Sequence, residues 1–322
     1  MENEYVSHIG GHITLFFTVE KDGRLLRNQG SRGVGINIQH GVNVKLSVKE
    51  KSGSIEDSEI RIFDFHNQPM NKSEKFYRDL INDLVYARLV DNTTSFIIEI
   101  RLELPTSQGF GMSAAGLIAV ALAFHQFSQR GHIDQYYRIC HRIERQYGSG
   151  LGDVLGIHAG GVEIRLQPGA PGASGSSLGF NCRQPIILAW QPNEARHTSN
   201  YIDNEAWQSK ITNAGHKALN NLKNGPWDHS RWKEILEQSG KFGVESELSE
   251  ETARKHLLDV ARDTVRSLGL QSLVSIRLCM LGTSCVVLPR KLNRLLTDNE
   301  LGLINSAYIE RGLASMITEI DH

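Results

Sequence analysis

Hydrophobic and polar residues alternate along 5–19 and 33–48 in the period of half-buried strands, with the turn KDGR at 21–24 and the glycine-rich GSRGVG at 30–35 between them. The pattern predicts a β-rich opening and a further strand at 60–65. Over 73–90 the spacing changes. Phe76, Leu80 and Leu84, with Tyr77, Ile81 and Val85, recur at the period of a half-buried helix. An extended run, FIIEIRLEL at 96–104, then feeds PTSQGFGMSAA at 105–115, which opens into the apolar AAGLIAVALAF at 114–124. Helices are predicted at 134–147 and 154–159, and a strand at 162–166.

The Pro/Gly/Ser-rich stretch PGAPGASGSSLG at 168–179 breaks these periods and reads as a linker or exposed loop. It sets the expected boundary between an N-terminal domain, 1–170, and a C-terminal domain, 171–322. The second half is predicted to begin with a strand at 185–190 and to continue with polar helical segments around 199–223, 230–240 and 249–268. Apolar runs follow at 273–281 and 284–288. Strands and helices alternate without a clean βαβ repeat, which favours an α+β layer over a parallel sheet.

A strand, a glycine-rich loop and a helix in that order make an anion cradle. Gly109 and Gly111 carry no Cβ and take positive φ readily, so consecutive backbone N–H groups can converge on phosphate oxygens. The helix start adds unpaired donors and its dipole, and Ser113 offers a hydroxyl there. No Lys-Ser or Lys-Thr pair follows the glycines, which excludes a Walker A motif. Gly109, Gly111 and Ala114 do satisfy the dinucleotide pattern GxGxxA. However, Pro105 and three further residues separate the strand from the first glycine, unlike a Rossmann turn. A small-residue loop under a core helix would explain a lone GxG; the proline, serine and paired alanines together favour phosphate binding.

With 322 residues and 40% hydrophobic content, the chain is long enough for two domains with real cores. A formal charge of −1 with no basic run gives no footprint for nucleic acid or an anionic membrane, so any anionic ligand must be held locally. Cys140, Cys182, Cys279 and Cys285 lie far apart without CxxC spacing and read as reduced, buried thiols. The N-terminus shows no basic region ahead of an apolar run, and the apolar helix near 114–124 is too short to cross a bilayer. A soluble cytoplasmic protein is expected.

Several polar residues sit where chemistry needs them. Asp153, in GSGLGDV, lies among glycines at the mouth of a turn; it suits a working carboxylate and equally an N-cap of the short helix that follows. Glu144, on the helix at 134–147, would face solvent unless Ser113 and Asp153 converge nearby. In that case the oxygens beside nucleotide phosphates make a place for Mg2+. His141 shares a helix face with Glu144, and alone reads as a partly buried, hydrogen-bonded histidine. Arg165, in a predicted strand, is either exposed or aimed at an anion. Ser31 and Arg32 lie in a glycine-flanked loop that can approach a ligand closely, with a surface turn as the plainer alternative. The remaining histidines show no metal-ligand spacing.

The order of these pieces, over about residues 9–171, resembles the GHMP small-molecule kinase superfamily and, within it, the archaeal-type pantoate kinases. GGHITLFF at 10–17 is similar to that group's first motif, with His12 where the wider superfamily has a lysine. The loop resembles PxxxGLGSSAA, with Phe110 and Met112 replacing the Leu and the first Ser. The run HRIERQYGSGLGDVLGIHAGGVEIR at 141–165 carries the most specific match, and MLGTS at 280–284 resembles a reduced third motif.

The resemblance implies an α+β fold with a ribosomal-S5-like N-terminal domain and a ferredoxin-like C-terminal domain, with the site between them. It implies ATP and Mg2+ as cofactors and phosphorylation of the 4-hydroxyl of pantoate on a route to coenzyme A. Pro105, Gly109, Phe110, Gly111, Met112, Ser113 and Ala114 would bind the ATP phosphates. Ser113 and Glu144 would serve Mg2+, Asp153 would act on the acceptor hydroxyl, and Ser31, Arg32, His12, His141 and Arg165 would hold pantoate. A homodimer is compatible with the superfamily. The competing readings are a GHMP kinase for another hydroxy acid or polyol, a homologue that binds nucleotide without turnover, and a dinucleotide-dependent oxidoreductase.

Overall fold

Strand β1 (Glu4–Phe17) runs antiparallel along β2 (Gly33–Glu50), and this long pair is the spine of the first sheet. The computed structural model describes residues 4–192, 194 and 199–321. The far half of β2 pairs with β4 (Ser95–Leu102), itself parallel to β3 (Glu59–Phe63). The near half, Gly33 to Ile36, pairs with β5 (Val162–Gln167). β5 in turn carries β6 (Ser176–Phe180) as an edge strand, so part of the segment that reads as a linker is hydrogen bonded into the sheet. The pairing of β1 with β2 shifts register between Gly10 and Gly11. A Cβ at Gly11 would lie 2.6 Å from the Phe110 carbonyl oxygen, so the glycine lets the phosphate loop lie across the strand at this point.

Helices α1 (Glu74–Tyr86), α2 (Met112–Ser128) and α4 (Asp153–Ala159) pack on this sheet, and α3 (Ile133–Tyr147) packs against all three. Helix α2 is apolar on nearly every face because it is covered on nearly every face, by β1, β2 and α3.

The second half contains β7 (Pro185–Trp190), then α5 (Ser199–Ile202), α6 (Glu205–Asn220), α7 (Trp232–Glu245) and α8 (Thr252–Ser267). β8 (Val274–Leu278), β9 (Ser284–Pro289), α9 (Asp298–Glu310) and β10 (Ala314–Glu319) complete it. The sheet order is β10-β7-β9-β8 with every pairing antiparallel. Two βαβ-like halves with spatial order fourth, first, third, second make the ferredoxin-like arrangement expected for this half. The last helix and strand, absent from the periodicity reading, complete it.

The halves meet along the end of β1. Phe16 and Phe17 pack on Phe242 of α7 with ring centroids 6.4 and 5.8 Å apart. Thr14 bridges to Met280 in the turn between β8 and β9, and Ile38 bridges to Ile320. Residues 11–17 are therefore buried on both strand faces and lose the alternation seen at 4–10. All four cysteines are buried and unbonded.

Candidate active site

The phosphate loop has the conformation its glycines predict. Gly109 and Gly111 have φ of +76° and +70°, and Gly111 is the residue from which α2 starts. No side chain caps that helix, so the first N–H groups of α2 remain available to an anion. Both glycines are also sterically required. A Cβ on Gly109 would lie 2.8 Å from the Cys279 carbonyl oxygen, and one on Gly111 would lie 2.8 Å from the His12 nitrogen. The loop is thus pressed between β1 on one side and the turn after β8 on the other.

That turn is the MLGTS segment. A Cβ on Gly282 would lie 2.1 Å from the Gln108 carbonyl carbon, and the Ser284 hydroxyl donates to the Gln108 carbonyl. Arg254, buried in α8, donates through Nε to the Gly282 carbonyl at 2.8 Å and through its other end to that of Leu281. A segment weak as a motif is therefore held firmly in place by a residue that the sequence did not single out.

A cavity of about 470 Å3 opens over the loop, lined by Pro105, Gly109, Phe110, Gly111, Met112 and Ser113 at one end. Beyond the loop its lining is apolar and aromatic at Ile62, Met70, Phe76 and Tyr147 and polar at Lys72, Ser73 and Lys75. Phe110 and Met112 are themselves buried, Phe110 packing edge-on to Trp190 with centroids 5.7 Å apart, and Ala114 is wholly inside. Their side chains shape the loop while its backbone faces the cavity.

Asp153 lies at the first residue of α4 and caps nothing. Its Oδ1 instead meets His12 Nδ1 at 2.7 Å, and His12 Nε2 meets Glu163 Oε1 at 3.0 Å. His12 and Glu163 are fully buried. Room for the ring comes from two glycines: a Cβ on either Gly35 or Gly156 would lie 2.4 Å from His12 Nε2. A neutral imidazole has one donor and one acceptor, so a ring facing a carboxylate at each nitrogen is satisfied only as the imidazolium. Burial opposes that charge, but the hydrogen bonds to Asp153 and Glu163 and their charges outweigh it, and the His12 pKa is raised. Burial likewise pushes the Asp153 carboxyl up, and His12, followed by the charge of Arg165, pulls it below the usual range. Asp153 is an ionised carboxylate at neutral pH.

Glu144 is the opposite case. It is wholly buried, and among the described residues its carboxyl oxygens meet no side-chain donor, only the Val154 N–H nearby. Burial, and next the charge of Asp153, holds its pKa well above the ordinary carboxylate value. A Cβ on Gly150 would lie 2.3 Å from Glu144 Oε1 and 2.8 Å from Asp153 Oδ2, so this glycine packs against both carboxylates. Glu144 does not itself line the cavity over the loop, but Asp153 beside it does, and buried oxygens next to an ionised carboxylate are the chemistry a divalent cation would satisfy. Among the described residues no group of three or more His, Cys, Asp or Glu could hold a metal unaided.

Behind Asp153 lies a second, smaller cavity of about 30 Å3, lined by Thr14, Ser31, Gly152, Asp153, Arg165 and Leu281. Arg165 is buried, its Nε 3.4 Å from Glu163 and its Nη2 donating to Thr14 Oγ1 at 3.3 Å. The buried Ser31 hydroxyl has no partner. Asp153, Met280 and Leu281 line both cavities.

The other expected residues sit elsewhere. His141 lines neither cavity; its Nε2 donates to the Gln29 carbonyl at 3.0 Å, which steadies the loop carrying Ser31. Burial, only partly offset by that hydrogen bond, pushes its pKa down to about 4, so the ring is neutral. His12 also lies one layer back, acting on Asp153. Arg32, next to Ser31 in the same loop, lines a third cavity, which Arg165 also lines.

Residues 76–161 match the family described as "GHMP kinases N terminal domain". A pantoate kinase of Thermococcus kodakarensis is 30% identical over 223 residues, which is 68% of this chain and 69% of the relative. The chain belongs to the GHMP kinases, in the pantoate kinase family. A second relative, the pantoate kinase of Methanocaldococcus jannaschii, is 29% identical over 227 residues, 67% of this chain and 72% of its own. The GHMP fold extends beyond these matches. A solved structure described as a phosphotransferase related to the CoA biosynthesis pathway superposes with TM-score 0.76 at 22% identity, covering 99% of this chain and 96% of its own. A Methanococcus jannaschii mevalonate kinase gives 0.64 at 14% identity, covering 99% and 98%. Both halves of this pantoate kinase family chain therefore follow the GHMP kinase architecture.

Periodicity and motif reading missed Glu163, Thr14 and Arg254. Glu163 had a signal: it lies two residues before Arg165 on the same strand face, and a carboxylate alternating with an arginine on a buried strand implies a partner inside.

Proposed function

We propose that the protein transfers the γ-phosphoryl group of ATP to the 4-hydroxyl of pantoate, giving 4-phosphopantoate for coenzyme A synthesis. The observation that carries this reading is the position of Asp153 between a nucleotide-sized cavity over a phosphate cradle and a small cavity walled by Arg165 and the unpartnered Ser31 hydroxyl. Relatives that bear the pantoate kinase name support the choice of acceptor.

The apolar and aromatic part of the large cavity takes the base, and the backbone of 109–113 takes the phosphates. Pantoate enters behind Asp153, its carboxylate on Arg165 and a hydroxyl on Ser31. The small cavity now has about the volume of one water, so Met280 and Leu281 give way as the acceptor binds. Asp153, ionised and oriented by His12, accepts the hydrogen of the attacking hydroxyl and takes the proton late, as suits a loose transition state. Ser113 and Glu144 are the residues that would hold Mg2+ beside the phosphates. The ion would supply charge neutralisation at the transferring group.

We also propose the cytoplasm as the compartment and a homodimer as the assembly, supported by exposed Leu303 and Ile309 on α9. The domain division 1–170 and 171–322 stays a proposal, and the β5–β6 pairing favours a cut after residue 180. ADP release with Mg2+ and ATP over pantoate, pantothenate, mevalonate, homoserine and galactose tests the function. Turnover confined to pantoate is the expected result; turnover on another acceptor discards the pocket assignment, and none on any acceptor discards the kinase.

A further inference from the structure

The third cavity, about 220 Å3, lies where the loop after β1, the edge of β5 and the segment after α6 meet. Its wall includes Arg32, Arg165, Lys223 and Arg231, and among the described residues no aspartate or glutamate lines it. Two carboxylates pair with these cations, and Asp153 and Glu144 also feel the charge of Arg165. Glu163 is 3.4 Å from Arg165, and Glu234 is 3.2 Å from Arg231. Arg32 forms no ion pair among the described residues, and its Nε is buried without a hydrogen-bond partner. Arg231, only 7% exposed, also keeps an unpartnered Nε. Leu178, Leu222 and Trp227 supply an apolar wall beside these donors. Two buried guanidinium N–H groups without acceptors, in a cavity with surplus positive charge and apolar cover, match one ligand chemistry.

We propose that this cavity binds a small organic anion, a carboxylate or phosphate ester on a short apolar body, and that its occupancy weakens acceptor binding. The volume, roughly seven waters, suits such a molecule. The coupling runs through Arg165, which lines both this cavity and the one behind Asp153. An anion on the outer side weakens the positive field that the acceptor's carboxylate meets at Arg165. This second half rests on the pantoate reading, whereas the binding half does not.

Titration calorimetry with hexanoate, butyl phosphate and inorganic phosphate, without nucleotide, separates the two. Saturable binding of hexanoate or butyl phosphate is expected, weakened about tenfold or more by Lys223→Glu and by Arg32→Gln, as loss of a charge-assisted contact requires. A preference for hexanoate assigns the site to carboxylates, and the reverse to phosphate esters. In turnover assays the bound probe should raise the pantoate KM and leave kcat alone, and Lys223→Glu should show wild-type kinetics without the probe and no response to it. No saturable binding, or binding that survives both substitutions but is lost in Arg165→Ala, overturns the site. Binding that leaves the pantoate KM unchanged overturns the coupling while calorimetry still stands, and an inactive enzyme that binds the probe discards only the pantoate reading.

Discussion

Replacing Glu163 with glutamine tests whether His12 works as a fixed cation. The amide keeps the shape of the side chain and its ability to accept from Nε2–H, but removes one of the two negative charges that hold the ring protonated. A hydrogen bond between charged groups contributes about 1.5–3 kcal/mol. By removing that negative charge, the substitution lowers the His12 pKa. The sign follows from the raised native value. His12 contributes stability that is fully present below its ordinary value of 6.5 and is lost as pH rises through its folded pKa. Glu163→Gln brings that upper limit down toward neutrality.

Asp153 follows, since His12 is what pulls its pKa down. At neutral pH the variant should lose about ten- to hundredfold in kcat, the same 1.5–3 kcal/mol expressed at 1.36 kcal/mol per tenfold. The alkaline limb of its pH–rate profile should move to lower pH. Profiles over about pH 6–9 with Mg2+, ATP and pantoate read the limb, and long-range 1H–15N spectra read the protonation of the ring directly. Glu163→Asp, which keeps the charge, should keep the wild-type limb. A folded Glu163→Gln enzyme with an unmoved limb, or a neutral His12 ring in the wild type, refutes the reasoning. A raised pantoate KM with an unmoved limb would assign the effect to Arg165, which lies 3.4 Å from the same carboxylate.

Glu144→Gln should melt a few degrees higher than wild type without ligand at neutral pH. The raised wild-type pKa means that stability falls as pH climbs above 4.5, and the amide removes that loss while Mg2+-dependent turnover collapses. Calorimetry of Mg2+-ATP binding in two buffers of different ionisation enthalpy should show proton release in wild type and none in this variant. Asp153→Asn should lower kcat by about 10²–10⁴-fold, the range for a positioned base, with ATP affinity nearly unchanged in a direct binding assay. If Arg165 holds the acceptor as proposed, in both ground and transition states, Arg165→Ala should raise the pantoate KM more than it lowers kcat, by about ten- to a hundredfold. Gly111→Ala forces a side chain into a φ of +70° and to 2.8 Å from the His12 nitrogen, and should weaken ATP binding together with thermal stability.

The conformation of the glycine-rich loop was legible because it is local: strand, glycines and helix start are contiguous, and each residue type has a backbone reason to be there. The carboxylates of Asp153 and Glu144 were legible as residues but not as environments, because their opposite titration depends on which one meets His12. Helix α9 and strand β10 escaped for a different reason. Their burial is partial, and the apolar residues of DNELGLINSAYIE do not form a stripe that separates from its polar ones. β6 was hidden by its glycines and serines, since an edge strand needs backbone pairing more than an apolar face.

Glu163 escaped because its meaning depends on a residue about 150 positions away, and the connection explains the departure at His12. A lysine in that position carries its charge unaided and needs one carboxylate to be oriented. A histidine at neutral pH, buried and facing one carboxylate, settles as a neutral ring that donates one hydrogen and leaves the other nitrogen bare. A second carboxylate makes the imidazolium the stable form. It must approach from the opposite side, which is where β5 places Glu163 across from Gly35, the residue whose missing Cβ leaves space for the ring. His12, Gly35, Gly156 and Glu163 are thus one substitution spread over three strands and a helix. His12→Lys alone should then retain part of its turnover but flatten the alkaline limb, because the ammonium would keep its charge where the imidazolium loses it.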